Sequence, residues 1–500
     1  MKRNRLSTIT LLSSSLFALN SWAASDIYVA PSGNDSNAGT QSSPFLTIAK
    51  ASKVAAPGTT IHVAAGTYKV SAPGINDVGI LTTMSGTSAA HIRFVSDPKN
   101  RAKIVLSGTG FAWDNKGNYV DIDGFEISGS GRGGILSEAA HVSITNNYIH
   151  DLTVSGGCNG NGGAGIDTYT SVGDVVITNN IVRNIGYPSA SPCNGIQGIY
   201  IASVGNIVMN NVVSNIAAVG IHQWHGATAS AIINNTVFNN KEGILIGNGD
   251  GGALPNGSEN NYVANNIVYD NRAYGIIEYG KVGANNRYIN NLVYDSGTNV
   301  KMISGSISGT ISQDPMFVKY EADGTGDYHL QPSSPAIGKG TLTSAPLTDF
   351  DGKPRGSSID IGAYEYAAVS APAPSPSPTV TPKPSPSPSP TPAKRPAASL
   401  SASALAFSWQ KVGTTSKVQL VKITNTGNAN LIFSNFSISG DFAFGGTGTC
   451  VAGRAYAPGA SCTASVVFKP KASGTRAGVL SIPSNASSTP AKVSLSGRGY

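Results

Sequence analysis

The sequence is poor in charged residues. Only 12% of its 500 residues are Asp, Glu, Lys or Arg, whereas globular domains usually carry about 25%. Aromatic residues make up 7%, and the chain has 4 cysteines but 59 glycines. So much glycine, together with abundant Asn, Ser and Thr, favours turns and short strands over long helices. The composition excludes an all-helical fold and predicts an all-β one.

Long apolar runs are also lacking. Residues 1–23 combine three basic residues with an apolar stretch from Leu11 to Leu19 and a Ser-Trp-Ala end, which is typical of a secretory signal peptide cleaved after Ala23. No later stretch reaches the roughly 18 apolar residues that cross a bilayer. We therefore expect a secreted, extracellular protein without a transmembrane segment.

The four cysteines lack the close Cys/Cys or Cys/His spacing of a zinc site. In an exported chain, disulfides are favoured over metal ligation. The cysteines fall into two local pairs, so the sequence predicts one disulfide between Cys158 and Cys193 and another between Cys450 and Cys462.

Residues 367–398 consist mainly of Pro, Ser and Thr. Such a segment cannot bury a core and predicts a stiff, extended linker. It divides the mature chain into a large domain, residues 24–366, and a C-terminal module, residues 399–500. This layout is common among secreted enzymes that carry an attachment or binding module.

The large domain contains two recurring phrases. An Asn-Asn pair followed by apolar residues begins at Asn146, Asn179, Asn210, Asn234, Asn265 and Asn290, and a Gly-Ile pair begins at Gly134, Gly165, Gly198, Gly220, Gly243 and Gly275. The unit of about two dozen residues is too short to fold alone, so its strands must stack on those of the next unit. The repeat predicts a parallel β-helix, with most Asn pairs forming side-chain ladders at turns.

A helical pattern precedes the repeats. Phe45, Ile48, Ala49 and Ser52 would share one side of a helix that ends before Pro57-Gly58. We expect this helix to cover the first coil, which would otherwise present an unpaired sheet edge.

The beginning and end of the large domain resemble a known group. The segments DIYVAPSGNDSNAGTQSSPFLTIAKA and GTTIHVAAGTY resemble the opening of secreted right-handed β-helix proteins of the pectate-lyase superfamily, especially family-9 polysaccharide lyases. The segment QDPMFVKYEADGTGDYHLQPSSPAIGKG, followed by TDFDGKPRGSSIDIGAYEY, is similar to the part that closes many of them. The resemblance implies a right-handed parallel β-helix. The clustered Asp-Asp calcium motif and the catalytic lysine of the family have no clear match, so no catalytic residue is carried over.

The C-terminal module is similar to the immunoglobulin-like modules called choice-of-anchor D, which are related to Hydin-type repeats. Its short alternating strands, separated by turn residues, independently favour a β-sandwich. The resemblance implies an attachment or spacer domain in which the Cys450–Cys462 pair clips one loop.

Alignment of the coils on Gly-Ile predicts which side chains face outward. If each Ile points inward, the next residue points out, which gives the column Leu136, Asp167, Tyr200, His222, Leu245 and Ile277; the residues two positions later are Glu138, Tyr169, Ala202, Trp224, Gly247 and Tyr279. Asp167, Tyr200 and His222 would then stack within roughly 10 Å. An exposed acid, phenol and imidazole together can transfer protons at neutral pH. The same alignment points Glu278 inward, where a carboxylate needs a partner.

We therefore predict a catalytic group of His222, Tyr200 and Asp167. His222 or Tyr200 would act as base or acid, and Asp167 would orient the imidazole or hold a calcium ion, the one candidate cofactor. The predicted substrate-binding residues are Tyr169, Trp224, His225, Tyr279 and Lys281. Two other interpretations remain open, namely non-catalytic glycan contact and an ordinary solvated surface.

The leading functional hypothesis is a monomeric polysaccharide lyase that acts on an acidic, pectate-like or alginate-like polysaccharide. The alternative is a glycan-binding or cell-surface protein without activity, and a glycoside hydrolase or uronate epimerase ranks third.

The net charge of +7 at first suggests an acidic partner, but it divides unevenly. Residues 24–366 carry 26 acidic and 19 basic groups, while residues 399–500 carry nine basic groups and one acidic group, Asp441. The excess of basic groups in the C-terminal module thus predicts that this module attaches to an acidic surface or polymer. Nucleic acid is not an expected partner.

Overall fold

A computed structural model of the chain describes residues 26–154, 158, 162–169, 173–186, 194–249, 257–366, 396–402, 404–433, 436–446, 448–451 and 454–500. The predicted signal peptide and residues 367–395 of the predicted linker lie outside them. The described residues contain one α-helix, α1 (Ile48–Val54), and are otherwise built from short strands. No described helix has the length and apolar character needed to span a membrane.

The strands of residues 26–366 are β1 (Asp26–Val29), β2 (Thr60–Ala72), β3 (Val78–Thr82), β4 (Ile92–Gly108), β5 (Phe111–Asn115), β6 (Val120–Asp123), β7 (Glu126–Gly131), β8 (Gly133–Ser137), β9 (Ser143–Thr145), β10 (Tyr148–Val154), β11 (Gly163–Thr168), β12 (Val176–Thr178), β13 (Ile181–Ile185), β14 (Ile196–Ile201), β15 (Ile207–Met209), β16 (Val212–Ile216), β17 (Val219–Gln223), β18 (Ala231–Ile233), β19 (Thr236–Phe238), β20 (Glu242–Asn248), β21 (Tyr262–Ala264), β22 (Ile267–Tyr269), β23 (Tyr274–Gly280), β24 (Arg287–Ile289), β25 (Leu292–Tyr294), β26 (Thr298–Lys301), β27 (Ser306–Ser308), β28 (Phe317–Lys319) and β29 (Asp327–Leu330).

These strands form the predicted parallel β-helix. One nine-stranded sheet runs β3, β5, β8, β11, β14, β17, β20, β23 and β26, and the other strands of the coils belong to an 18-stranded sheet. Most coils contribute one strand to the nine-stranded sheet and two to the larger one, as with β14, β15 and β16, whereas the long β2 and β4 each take the place of two strands. All neighbouring pairs within the coils are parallel, so identical positions of successive repeats lie side by side.

The isoleucines of the Gly-Ile pairs form the predicted interior. Ile166, Ile199, Ile221 and Ile244 are in register on successive strands and are fully buried. Each therefore contacts the equivalent side chain of the coils above and below, and this repeated apolar contact stabilises units that cannot fold alone.

The two residues of each Asn-Asn pair have different roles. The second Asn forms the ladder, because Asn180 Nδ2 donates to Asn211 Oδ1 at 3.0 Å and Asn211 Nδ2 donates to Asn235 Oδ1 at 3.0 Å. The first Asn has a left-handed backbone, with φ of 53° at Asn210 and 55° at Asn234, and its side chain bonds mainly elsewhere. The ladder prediction is thus confirmed for the second residue of the pairs. Among the first residues a ladder bond joins Asn265 Nδ2 to Asn234 Oδ1 at 3.1 Å, and the other described first residues bond mainly outside the ladder.

The first Asn residues hold the closing segment, which we define as residues 311–366. Asn210 Nδ2 donates to Thr348 O at 2.7 Å, and Asn265 Nδ2 donates to Thr341 O at 2.8 Å. Apolar side chains of the closing segment pack on the outer face of β16, β19, β22 and β25 and form a separate buried cluster. That side of the β-helix is therefore covered, whereas the nine-stranded sheet keeps an open outer face.

Helix α1 lies where the sequence predicts it. Thr47 Oγ1 accepts the N–H of Lys50 and caps the helix, and Ile48 and Ala51 are buried within the β-helix core.

The predicted inward position of Glu278 is confirmed, and the carboxylate has partners. Its oxygens accept N–H groups of Ile303, Ser304 and Gly305 and the hydroxyl of Tyr288.

The C-terminal module contains β30 (Ala398–Leu400), β31 (Ala404–Ala406), β32 (Gln419–Asn425), β33 (Leu431–Ile432), β34 (Ser437–Ile438), β35 (Phe442–Phe444), β36 (Ala455–Tyr456), β37 (Ser461–Phe468), β38 (Gly474–Ser484) and β39 (Ser487–Gly499). They form two mostly antiparallel four-stranded sheets and one two-stranded sheet, and both larger sheets contribute to one hydrophobic cluster. The predicted disulfide between Cys450 and Cys462 is present.

Candidate active site

The predicted outward column exists in the nine-stranded sheet. Asp167 is in register with Tyr200, and Tyr200 is in register with His222. Leu136 flanks Asp167 on one side, and Leu245 flanks His222 on the other. The structure therefore places the three predicted catalytic residues on adjacent strands, as the repeat alignment requires.

The Gly-Ile pairs create a further outward column that the sequence analysis missed. A Cβ atom on Gly198 would lie 2.6 Å from Val213 Cγ1, and one on Gly220 would lie 2.6 Å from Val237 Cγ1. The glycine therefore faces the interior together with the following isoleucine. Because two consecutive residues face inward, the residue before each glycine faces out, which adds Gln197, Val219 and Glu242 to the open face.

These columns line a cleft of about 950 Å³ on the outer face of the nine-stranded sheet. Its polar and aromatic lining residues are Phe111, Arg132, Glu138, Asp167, Tyr169, Asn194, Gln197, Tyr200, His222, Trp224, His225, Lys241, Glu242 and Tyr279. All the predicted catalytic residues and four of the five predicted substrate-binding residues thus belong to one cavity.

Lys281 is the predicted binding residue that lies elsewhere. It follows the last residue of β23 and is absent from the cleft lining. Lys241 lines the cleft and donates a hydrogen bond to Asn194 Oδ1. Of the two lysines that lie nearest the cleft strands in the sequence, Lys241 and Lys281, the structure therefore places only Lys241 in the cleft lining.

His222 is buried, which corrects the prediction of an exposed imidazole. Its side chain lies against the rings of Tyr200 and Trp224, at centroid distances of 5.1 Å and 5.3 Å, and the residue is only 8% exposed. Neither ring nitrogen has a hydrogen-bond partner among the described residues. Burial, with a smaller effect of the nearby His225, lowers the pKa of His222 to about 3, so the imidazole is neutral at neutral pH.

Aromatic rings continue from His222 toward both sides of the cleft. His225 contacts Tyr200 and Tyr169 edge-on, at 5.8 Å and 5.5 Å, and Trp224 stacks on Tyr279 at 6.0 Å. Tyr169 and Tyr279 are more than half exposed. The cleft therefore offers aromatic faces of the kind on which sugar rings stack.

Two glycines position Trp224. A Cβ atom on Gly247 would lie 2.6 Å from Trp224 Cζ3, and one on Gly249 would lie 2.2 Å from Trp224 Cζ2. The indole therefore rests against the β20 backbone, which only residues without a side chain permit at these two positions.

Asp167 is one of three carboxylates that line the cleft, together with Glu138 and Glu242. Its Oδ1 is buried and has no hydrogen-bond partner among the described residues. Burial raises the pKa of Asp167 to about 7; the nearby charge of Arg132 lowers it and that of Glu138 raises it. Because His222 has no hydrogen bond to any carboxylate and Tyr200 lies on the strand between them, the prediction that Asp167 orients the imidazole is wrong.

A second acidic group lies at the Asp167 end of the cleft. Lys116 Nζ lies 2.8 Å from Glu138 Oε2 and 3.4 Å from Asp114 Oδ2. Asp114 is buried one strand beyond Leu136, and burial raises its pKa to about 6. Lys116 is therefore the ion-pair partner of both Glu138 and Asp114, and Asp114 differs from Glu138 in being buried.

The predicted calcium ion finds no ready set of ligands. Among the described residues, no three Asp, Glu, His or Cys side chains come together in a way that could hold a metal ion. Leu136 separates Asp114 from Asp167. These residues do not fit a preformed calcium site, and no step of the proposed reaction uses a calcium ion.

The predicted disulfide beside the cleft is described only in part. Cys158 is disulfide-bonded, and Cys193, the partner predicted for it, lies outside the described residues.

The chain is similar to known β-helix proteins. A family model described as "Pel9A-like, right handed beta helix region" matches residues 27–310. The chain is 27% identical over 348 residues to pectate lyase L of Paenibacillus polymyxa (strain SC2), which covers 62% of this chain and 75% of the relative. It is 28% identical over 331 residues to the uncharacterized protein YwoF of Bacillus subtilis (strain 168), covering 50% of this chain and 69% of the relative.

The crystal structure of pectate lyase Pel9A is similar with a TM-score of 0.51 and 19% sequence identity, over 68% of this chain and 96% of that chain. At this identity the likeness shows the fold alone, so the chemistry depends on the residues of the cleft.

Proposed function

The chain belongs to the Pel9A-like right-handed β-helix family, and we propose that it is an exported polysaccharide lyase that cleaves a uronate-containing polysaccharide by β-elimination in the cleft. The observation that carries the proposal is the position of Asp167, a desolvated carboxylate in an aromatic-lined cleft beside the charge of Arg132. The 27% identity to pectate lyase L supports the reaction class.

β-Elimination needs a base for the proton at C5 and a cation for the neighbouring carboxylate of the sugar. Asp167 suits the first role, because its pKa of about 7 gives a partly ionised carboxylate that holds a proton more firmly than an ordinary aspartate. Arg132 and Lys241 line opposite ends of the cleft and suit the second role.

The residues of the cleft can account for each bond that forms or breaks in the elimination. Asp167 takes the C5 proton, the C4–C5 double bond forms, and the bond from C4 to the glycosidic oxygen breaks. Tyr200, on the strand next to Asp167, donates its hydroxyl proton to the leaving oxygen and regains a proton from Asp167 or water. His222 stays neutral and contacts the Tyr200 ring edge-on from the next strand, so it is a positioning residue and not the base.

The test is the formation of C4–C5 unsaturated products, which absorb in the ultraviolet. Wild type and Asp167→Asn are assayed on a panel of polyuronates, with calcium and with a chelator, and circular dichroism checks folding. We expect unsaturated products from the wild type and their loss in the variant. No product from any polyuronate would refute the lyase, and full activity of Asp167→Asn would refute the base.

A glycoside hydrolase is a second candidate because two of the three carboxylates that line the cleft, Glu138 and Asp167, lie in neighbouring coils. Glu138 is ion-paired with Lys116 at 2.8 Å, whereas burial raises the pKa of Asp167. Two carboxyl groups in such different environments suit a base and an acid. Asp167 pairs with Leu136, two residues before Glu138, so the two carboxylates come from neighbouring coils. New reducing ends without ultraviolet absorbance would favour this reaction.

Glycan binding without cleavage is the remaining alternative. It is favoured by the exposed rings of Tyr169 and Tyr279 at the cleft edges. Retention of polyuronate by the wild type, with no product of either kind, would identify it.

We also propose a fold and a location for the C-terminal module. We take its two four-stranded sheets, which share one buried cluster, as an immunoglobulin-like fold joined by the linker to the exported β-helix. The disulfide between Cys450 and Cys462 is consistent with an oxidising location.

A further inference from the structure

We propose that the C-terminal module carries a second polysaccharide-binding site, formed by Trp409, Arg498 and Tyr500, which takes an acidic polysaccharide chain. This site goes beyond the lyase function, because it lies on a different domain from the cleft and its occupation involves no chemistry.

The group combines two exposed rings with a partly buried guanidinium. Trp409 is 50% exposed and Tyr500 is 62% exposed, and their ring centroids lie 6.4 Å apart. Arg498 is half-buried, and its Nη1 donates to Ser344 Oγ at 3.3 Å, which leaves the other guanidinium nitrogens for a ligand. The Arg498 guanidinium lies 4.3 Å from the centroid of the Trp409 ring. Large aromatic side chains at an exposed position are usually explained by a contact with a partner.

The backbone holds this group in place. Gln410 N donates to Arg498 O at 2.8 Å, and Tyr500 N donates to Gln410 O at 3.1 Å. Arg498 and Tyr500 alternate with the buried Gly497 and Gly499, so both project from the outer side of the sheet. The group is therefore preorganised on paired extended chains, which reduces the entropy lost on binding.

The chemistry of the group matches an acidic sugar. Aromatic faces pack against the apolar C–H face of a sugar ring, and a guanidinium binds a carboxylate through two parallel hydrogen bonds. Lys411 is exposed two residues from Trp409. The module carries nine basic groups against one acidic group, so its field attracts polyanions.

This combination favours a polysaccharide over a membrane surface. Adsorption to anionic lipid relies on several basic residues around an apolar face that inserts between headgroups. Here a single guanidinium lies over one of two neighbouring rings. A site of this size accommodates a single charged sugar.

The experiment measures retardation in native gels that contain polygalacturonate. The full chain is used with Asp167→Asn, so that the polymer stays intact, and Trp409→Ala with Tyr500→Ala is added. We expect the apparent dissociation constant to rise by about tenfold or more, because truncation of aromatic anchors typically costs this much. Phe444→Ala is the matched control, since Phe444 is also 50% exposed in the module, and it should bind like its parent.

A second variant keeps the test independent of folding. Arg498→Gln should weaken binding to polygalacturonate and make that binding less dependent on salt concentration. In gels that contain the neutral polymer dextran, the variant should migrate like its parent. Unaltered binding of both variants to polygalacturonate would overturn the site. So would loss of binding to phosphatidylglycerol vesicles without loss of binding to the polymer, because the occupant would then be a membrane. Failure of the lyase assay leaves these measurements unaffected.

Discussion

The ring of Tyr200 meets the imidazole of His222 edge-on, with 5.1 Å between the ring centroids and an angle of 66° between the planes. The phenol thus rests on a buried, neutral imidazole that no hydrogen bond orients. In this arrangement His222 acts through its shape, and its ability to bind a proton is suppressed by burial.

The first prediction separates shape from proton transfer at His222. His222→Phe keeps a ring against Tyr200, so we expect the kcat of this variant to stay within about tenfold of the wild-type value. His222→Ala removes that support and should lose more, with folding checked by circular dichroism. If both variants lose activity equally and completely, His222 takes part in the chemistry.

The same residue makes stability depend on pH. The pKa of His222 is about 3 in the folded protein and near 6.5 when unfolded, so the unfolded chain binds more protons between these values. The free energy of unfolding should therefore fall as pH drops from about 6.5 toward 3. Urea unfolding of His222→Phe should show a shallower fall than the wild type, and an identical slope would contradict the buried neutral imidazole.

The second prediction concerns Asp167. Loss of a general base typically costs about 100-fold to 10,000-fold in rate, so Asp167→Asn should lower kcat by at least the smaller factor. The base must be ionised, and its pKa is about 7; activity of the wild type should therefore rise with pH through this value. Asp114→Asn changes another desolvated carboxylate, outside the cleft lining, and should keep this pH profile. A profile that is flat between pH 6 and 8 would argue against Asp167.

The third prediction concerns the glycines beneath Trp224. Gly249→Ala would place a methyl group against the indole, so Trp224 must move and its stacking on a sugar ring weakens. We expect KM to rise several-fold with a smaller change in kcat, because the reacting residues lie on other strands. Gly226→Ala is the control, since a Cβ atom there would meet nothing within 4 Å. Equal kinetics of the two variants would exclude a role of Trp224 in binding.

The repeat made the outward column predictable. Once the coils are aligned on Gly-Ile, parallel register and strand alternation place Asp167, Tyr200 and His222 on adjacent strands, and the structure has them there. The fold follows from the same periodicity, because the isoleucines must stack to be buried.

Other features of the site depend on tertiary contacts, which the period of the repeat does not determine. Gln197 and Glu242 face the cleft because each Gly-Ile pair turns two consecutive residues inward, which a strict alternation excludes. The burial of His222 results from the particular rings that surround it. Lys281 lies outside the cleft because β23 ends one residue before it, and strand ends are not encoded by the repeat.

The fourth prediction concerns Glu278, the buried carboxylate that joins the last coils. Burial alone would raise its pKa, but the N–H groups of Ser304, Ile303 and Gly305 outweigh this effect and hold the pKa below its usual value. In Glu278→Gln one amide group faces those donors, so we expect a loss of about 2 to 4 kcal/mol in the free energy of unfolding.

The loss should itself depend on pH. A lowered folded-state pKa contributes stability that is fully present above the unfolded value, near 4.3, and disappears as pH falls through the folded value. The advantage of the wild type over Glu278→Gln in urea unfolding should therefore be constant at neutral pH and shrink below about pH 4. Glu321, whose side chain is 45% exposed and ion-paired with Lys319 at 3.1 Å, provides the control, and Glu321→Gln should change stability by less than about 0.5 kcal/mol. An advantage that grows on acidification would mean that Glu278 is protonated in the folded protein and that its backbone donors do not stabilise a charge.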